Sequence, residues 1–437
     1  MFTVEHISDA GVVGAGGAGF PTHVKLNSKA DTVVVNAAEC EPLLHKDKEI
    51  LRHYTQDVIL GLENARQLVG AERVVIGLKR KYGDLIDGVQ SQLPENMEIC
   101  PLDDVYPSGD EFLLVYQTLG RVIPPGGIPI QVGAVVLNVE TSYNLGNVMR
   151  NLPVTEKFLT VGGCIDHPVS LRVPLGVTLE EVVRAAGGAN IADPVYLVGG
   201  PMMGYLENAP QTARVTKTTG GILLLPQNHS LVLKIRRDWR EIAKIAKSAC
   251  DQCSFCTQLC PRNLLGHPIE PHKAMRSLMF GADVLVPGTQ FCSGCNLCSR
   301  CSCPEGLDPR NVCQHNRQQW AASGQKWEHP TFRKHRADQH MQNRQTPIPK
   351  LIRRLGLIDY ENHGPLDLAR SDRVQPSVVA IALKQHIGKP CEPVVSVGDT
   401  VERGMMIGKP VGLGAAVHAS ISGTVTQIDA ECIWIQR

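Results

Sequence analysis

The stretch "GVVGAGGAGFPTHVKL" (residues 11–26) decides the fold. Inside it Gly14, Gly16 and Gly19 spell G-x-G-x-x-G. That is the spelling of a Rossmann phosphate loop, for which an acidic residue is expected about 20 positions further on. Glu39 falls there. The fingerprint also requires a strand before the loop and the helix of a βαβ unit after it. Here the upstream segment, "TVEHISDAGVV", is polar and reads as helical. Downstream, about nine residues separate Pro21 from the next strand at Asp31, short of the dozen or more that a crossover needs. As a Rossmann loop the match is therefore weak, and on its own the loop reads either as a glycine turn with no ligand or as one that a ligand approaches.

Outward from the loop, strands and helices alternate. Residues 31–39, 72–79 and 133–140 read as buried strands. Residues 45–70 read as one amphipathic helix with Ile50, Tyr54, Val58, Leu62 and Ala65 on one face and Gly70 near its end. This pattern indicates an α/β domain over residues 1–153. Residues 154–210 follow the order strand, strand, helix, strand, which suggests a small β-grasp domain. Thr178 and Glu181 form a capping box there, and Gly187 closes the helix. Residues 211–249 read as a connector, in which 234–250 form a basic amphipathic helix running into the first cysteine. The cysteine-rich segment covers 250–313, a second connector 314–372, and a β domain with glycine turns 373–437.

The chain has 437 residues and a net charge of +1, so no overall field draws it to nucleic acid or to a membrane surface. Aromatic residues make up 5%, which argues against base-stacking platforms. No apolar run approaches the roughly 18–20 residues of a membrane span, and "MFTVEHISDA" lacks the features of a secretory signal. The expectation is a cytoplasmic protein with no nucleic-acid partner and no membrane span.

The chain has 15 cysteines, most of them crowded between Cys250 and Cys313, a usage that points to metal rather than disulfides in such a chain. The first motif is Cys250-x2-Cys253-x2-Cys256-x3-Cys260-Pro261, the bacterial ferredoxin run. The second is Cys292-x2-Cys295-x2-Cys298, followed by Cys303-Pro304 with one extra residue of spacing. In two-cluster ferredoxins the distal cysteine of each run ligates the other cluster. One 4Fe–4S cluster is thus assigned to Cys250, Cys253, Cys256 and Cys303, the other to Cys292, Cys295, Cys298 and Cys260. Cys301 competes with Cys303, and the proline after Cys303 favours the latter. Structural zinc would ordinarily show C-x2-C pairs divided by a spacer. Cys40, Cys100, Cys164, Cys313, Cys391 and Cys432 are scattered and read as buried apolar side chains.

Four motifs in order now carry a family resemblance: "GAGGAGFPTHVKL", "VNAAECEP" (35–42), "YPSGDE" (106–111) and "VVLNVET" (135–141). They resemble the flavin domain of the complex I 51 kDa-type NADH-binding subunit and of the RnfC subunits of Rnf complexes. With the β-grasp segment, the twin ferredoxin motif and the C-terminal domain, the resemblance covers nearly the whole chain. In its domain order, and in the extra residue before Cys303, the chain most resembles the cobalamin reductases of propanediol-utilisation microcompartments. In RnfC subunits the barrel-sandwich part comes first.

The resemblance implies an α/β multidomain fold. Its parts are a 51 kDa-like flavin domain, an SLBB-type β-grasp domain, a helical two-cluster ferredoxin-like domain and a barrel-sandwich hybrid domain. The last is lipoyl-like: "VSVGDTVERGMMIG" is half of that motif, while "LGAAVHASISG" lacks an acceptor lysine, so it reads as an unmodified docking domain. The resemblance further implies FMN and NADH sites. Gly14, Gly16, Gly17 and Gly19 would let the backbone approach FMN, and Lys25 would bring a positive charge to the flavin or its phosphate. Asn36, Glu39, Gly109, Asp110 and Asn138 would hydrogen-bond flavin or ribityl groups. Phe20, Glu41 and Glu111 would contact the nicotinamide nucleotide. Leu137 departs from the pattern, standing where complex I subunits carry the first Asn of a pair. No catalytic residue is expected beyond these cofactor sites.

The implied activity is NADH-dependent electron transfer through FMN and two 4Fe–4S clusters to a one-electron acceptor, a corrinoid. An adenosyltransferase and shell proteins are the implied further partners, in a microcompartment lumen or shell. Two rivals stand beside it: an Rnf-type subunit passing electrons between NADH and ferredoxin or a membrane partner, and a non-catalytic cluster relay or scaffold.

Overall fold

The computed structural model describes residues 3–280, 286–324 and 336–437; part of the second connector, 325–335, lies outside the described residues. The first domain is built on a parallel sheet of four strands in the order Met97–Leu102, Arg73–Lys79, Thr32–Ala37, Ala134–Asn138. Successive side chains of a strand point to opposite faces. Val33 and Val35 therefore join the core with Val74 and Ile76, while Val34 packs with Leu114 and Val136 on the other side.

The amphipathic stretch after the first strand is two helices, Lys46–His53 and Thr55–Val69, broken at Tyr54 (φ −132°, ψ 33°). The Tyr54 ring packs against Tyr143 and Phe158, with centroids 5.1 and 5.7 Å away. The break lets the first helix turn its charged residues inward: Lys46, Asp47, Lys48 and Glu49 are all buried. Gly70 ends the second helix in the left-handed conformation (φ 69°).

The β-grasp sheet has five strands in the order Val169–Pro174, Glu156–Gly163, Gly221–Leu225, Val195–Val198, Tyr205–Glu207. Its central strand, Gly221–Leu225, falls in the stretch read as connector, so the sheet reaches past residue 210. It runs parallel to Glu156–Gly163, antiparallel to Val195–Val198, and is buried throughout. A fully buried strand loses the polar alternation that marks one at the sequence level. The capping box is present, with Thr178 and Glu181 bonded reciprocally; the helix Leu179–Ala185 is capped by Ala186, and Gly187 (φ 111°) follows the cap.

The basic stretch before the cysteines is likewise two helices, Ser230–Arg236 and Trp239–Ala249. Asp238 caps the second by accepting from the Glu241 N–H at 2.8 Å. The C-terminal domain pairs a four-stranded with a three-stranded sheet. It leans on the glycine loop. The Ile387 N–H donates to the Gly19 carbonyl at 3.0 Å, and the Ala416 N–H donates to the Ser8 carbonyl at 3.0 Å. The buried Lys217 ammonium joins them, donating to the carbonyls of Gly11 and Ala416 at 2.7 Å each.

Candidate functional site

Chain connections leave the strand Thr32–Ala37 towards one side of the sheet and the strand Ala134–Asn138 lies on its other side. The carboxyl ends of two such strands form the crevice where open α/β sheets bind ligands. Asn36 and Asn138 stand at these two ends. Asn138 caps the helix Val139–Val148 through Oδ1, which accepts from the Glu140 N–H at 2.9 Å. Its Nδ2 donates to Asp47 Oδ2 at 2.8 Å. Asn36 Nδ2 donates to the Gly109 carbonyl at 2.8 Å. Asp110 caps the helix Glu111–Leu119, accepting from the N–H groups of Phe112 and Leu113. Leu137 points into the core, 3% exposed.

Above these ends lies a cleft of about 600 Å3. Of the residues expected from the sequence, Gly16, Gly17, Asn36 and Asn138 line it, as do Glu39, Glu41, Gly109 and Asp110. The loop closes on itself beneath, where the Gly14 N–H donates to the Phe20 carbonyl (2.9 Å) and the Gly19 N–H to the Gly14 carbonyl (3.2 Å). Gly14, Gly19 and Phe20 thus shape the loop without lining the cleft. Gly17 has φ 130°, and a Cβ built there would meet no atom within 4 Å, only the open cleft. Lys25 and Glu111 form an ion pair with each other at 2.9 Å, and Lys25 also donates to the Val136 carbonyl at 2.9 Å. Neither lines the cleft.

A buried charge network lies under the loop. Lys46 bridges Asp47 (2.6 Å) and Glu140 (3.1 Å). Lys157 pairs with the same Glu140 carboxylate and reaches the Ala15 carbonyl at 3.5 Å. Burial pulls the Lys157 ammonium down to about 8 despite Glu140. Burial, with Asp47 nearby, pushes the Glu39 carboxyl up to about 7, against the pull of Lys46.

The opposite wall comes from the β-grasp domain, and the sequence reading missed it. The turn after the strand Val195–Val198 brings the N–H groups of Met202 and Met203 to Glu41, which accepts from both at 2.9 Å. A side chain on Gly200 would collide with the Glu41 carboxylate, so the doubled glycine of "VGGPMMG" is a requirement of close approach. That doubling after a strand was the available signal. Burial pushes the Glu41 carboxyl up to about 8 in spite of those two N–H groups. Its unfolded value is 4.5, so between about 4.5 and about 8 the folded chain holds a proton that the unfolded chain has lost. Stability is then expected to fall as pH rises through that window. Thermal midpoints measured from pH 5 to 9 would check this, and Glu41→Gln is expected to flatten the slope.

The two cysteine turns share one backbone pattern. In each, the second and fourth residues after the first cysteine have positive φ: Gln252 (60°) and Ser254 (63°), then Gly294 (74°) and Asn296 (67°). Three of these are not glycine, and such conformations persist only where surroundings hold them. The Cys256 thiol feels the charges of Cys303, Cys250 and Cys253, whereas the Cys295 thiol feels those of Cys260 and Cys292. Cys301 stands beside Lys350 and Arg354 instead. Among the described residues no three side chains of His, Cys, Asp or Glu converge on a point as ligands of a single metal ion do. The neighbours of Cys256 and of Cys295 thus belong to the two different sets expected from the spacing. Burial pushes Cys256, Cys260 and Cys295 up to about 12. Buried thiolates need a compensating positive centre, and the donor set fits iron–sulfur ligation. Cys313 is fully buried beside Cys292 and holds that thiol below its usual range.

Comparison with known proteins gives four domain matches in chain order. Residues 7–147 match the Nuo51 FMN-binding domain, 158–206 the SLBB domain, 249–308 a 4Fe-4S dicluster domain, and 370–435 the RnfC barrel sandwich hybrid domain. The cobalamin reductase PduS of Salmonella typhimurium is 40% identical, with 99% of this chain and 96% of that protein covered. PduS of Citrobacter freundii is 40% identical with the same coverage. The C component of the Na(+)-translocating ferredoxin:NAD(+) oxidoreductase complex of Acetobacterium woodii is 35% identical over 59% of this chain and 57% of its own length.

Proposed function

The chain belongs to the cobalamin reductase family, and from that premise we propose that it carries electrons from NADH, by way of FMN and two 4Fe–4S clusters, to a corrinoid. One observation carries the reading. The cleft lined by Gly16, Gly17 and Asn138 is also lined by Cys295, so a flavin site and an iron–sulfur site share a wall. FMN held there would supply the conversion between the two electrons of a hydride and the single electrons that iron–sulfur clusters carry.

The chain's own groups prepare that exchange. Gly16 and Gly17 leave the floor open for a flat ring system. Asn36, Asn138, Asp110 and Glu39 offer hydrogen bonds at the strand ends. Glu41 is our assignment for the nicotinamide nucleotide, whereas Phe20, Lys25 and Glu111 stand outside the cleft and would act only through the loop and the helix they support. A Glu41 carboxyl held near 8 stays largely neutral at pH 7, which spares a phosphate-bearing ligand the repulsion of a second anion. Cys250, Cys253, Cys256 and Cys303 would hold one cluster, and Cys292, Cys295, Cys298 and Cys260 the other. Among the described residues no helix is long and apolar enough to cross a membrane. The finer partners we propose are an adenosyltransferase that consumes the reduced corrinoid and the shell proteins of a microcompartment.

The test is anaerobic. Protein reconstituted with iron, sulfide and FMN is mixed with NADH and then aquacobalamin. The iron–sulfur absorbance is expected to bleach, then recover as cob(II)alamin appears. Absorbance indifferent to NADH removes this reading and favours a cluster scaffold.

A further inference from the structure

The cleft meets the cysteine-rich segment through its second motif. Ser293 and Cys295 line it. The Tyr106 hydroxyl, in the cleft wall, donates to the Cys295 carbonyl at 2.6 Å. Asn296 Nδ2 donates to the Met202 carbonyl at 2.8 Å, tying the same motif to the β-grasp turn that holds Glu41. Cys260, the remaining member of that group, has a tether of its own. The helix Pro261–Leu264 behind it carries Arg262, which pairs with Asp110 at 2.9 Å and lies over the Phe112 ring, 3.5 Å from its centroid. Leu264 and Leu265 pack on Leu113. Both arms of the second group are thus fastened to the flavin domain.

The first group has no such tether to the cleft. Cys250 and Cys303 pack among Ile242, Ala246 and Leu307, a cluster that Cys292 of the second group also adjoins, and neither lines the cleft. Asp251 is exposed at that turn, and so is Phe255, at 47%, between Cys253 and Cys256. The two groups adjoin where the Cys298 thiol feels the charge of Cys256.

We infer that the two groups work in a fixed order. Electrons leaving the cleft reach the group of Cys260, Cys292, Cys295 and Cys298 first, pass to that of Cys250, Cys253, Cys256 and Cys303, and leave at the surface around Phe255. This rests on the NADH-to-corrinoid reading above. Each NADH is oxidised to NAD+ with one proton released to solvent. Its two electrons travel singly, and two acceptor molecules gain one each, Co(III) becoming Co(II).

Two double variants of the reconstituted protein separate the groups. Cys295→Ala/Cys298→Ala removes the inner set and Cys253→Ala/Cys256→Ala the outer, each halving the iron content. Dithionite should reduce the surviving cluster in both, as read by low-temperature EPR. NADH should bleach it within the mixing time when the outer set is missing, and at least about a hundredfold more slowly when the inner set is missing. Equal NADH rates in the two variants, or a faster rate without the inner set, overturn the order. Unmodified protein that dithionite bleaches and NADH does not would instead sink the functional reading. Phe255→Arg, a surface change that spares the fold, covers the case in which a double variant does not fold. Clusters in this variant are expected to bleach with NADH and to be reoxidised by aquacobalamin about tenfold more slowly. Unchanged reoxidation overturns the assignment of the outer group as the way out.

Discussion

Replacing Glu140 with alanine is expected to destabilise the flavin domain by roughly 3–5 kcal/mol, the range found when one partner of a buried ion pair is removed. Glu140 is 1% exposed. One carboxylate oxygen takes both Lys46 and Lys157, and the other accepts from the Phe158 N–H at 3.1 Å. Without it two buried ammonium groups face each other, and Lys46 is left with Asp47 alone. Lys157, already pulled down to about 8 by burial, is expected to become neutral in the variant at pH 7. Its hold on the Ala15 carbonyl would loosen, and the glycine loop with it. Urea denaturation gives the stability change, and FMN retention on gel filtration gives the effect on the loop. Glu140→Gln keeps an acceptor for Phe158 and removes the charge, so an intermediate loss is expected. A loss under about 1 kcal/mol for the alanine variant would show the network to be no more than a surface-type pair.

Gly17→Val is expected to leave less than about a tenth of the normal FMN content while iron content stays normal. Two costs coincide. At φ 130° a β-branched residue is strained by about 1–3 kcal/mol, and its side chain would project into the cleft itself, since nothing else stands within 4 Å. Gly70→Ala is the control. Gly70 is also left-handed (φ 69°) with open space around it, but it ends a helix away from the cleft. That variant should lose some stability and keep its flavin. If both variants lose flavin alike, backbone strain rather than occupation of the cleft is the cause. If Gly17→Val binds FMN normally, the glycine loop is not the cradle.

What could be read in advance was whatever the chain writes locally. Both cysteine motifs are short and contiguous, so their spacing alone carries chemistry; the glycine loop, whose spacing spells a different motif, and the strand-end polar residues were legible only through the family resemblance. The far wall was only half legible: the doubled glycine of "VGGPMMG" marks a close approach, but the partner lies far off in the chain. Glu41 meets Met202 and Met203 across 161 and 162 positions, and no local pattern encodes that meeting. Lys46 and Asp47 drew no reading from the sequence for a different reason. Charged residues on a helix ordinarily mark a solvated face, yet here they point inward and satisfy one another. The strand Gly221–Leu225 was lost to a connector because complete burial erased its alternation, and the helix break at Tyr54 is imposed by aromatic partners that lie far along the chain. Lys25 and Glu111 were singled out separately as site residues; the fold pairs them with each other.

The C-terminal domain's grip on the glycine loop bears on how the protein is made. The loop leaves the ribosome long before its backing, which comes through Ile387 and Ala416. A nascent chain therefore carries an unfinished cradle for most of its synthesis. Flavin loading is then expected to come late, once the barrel-sandwich domain has folded back onto the loop.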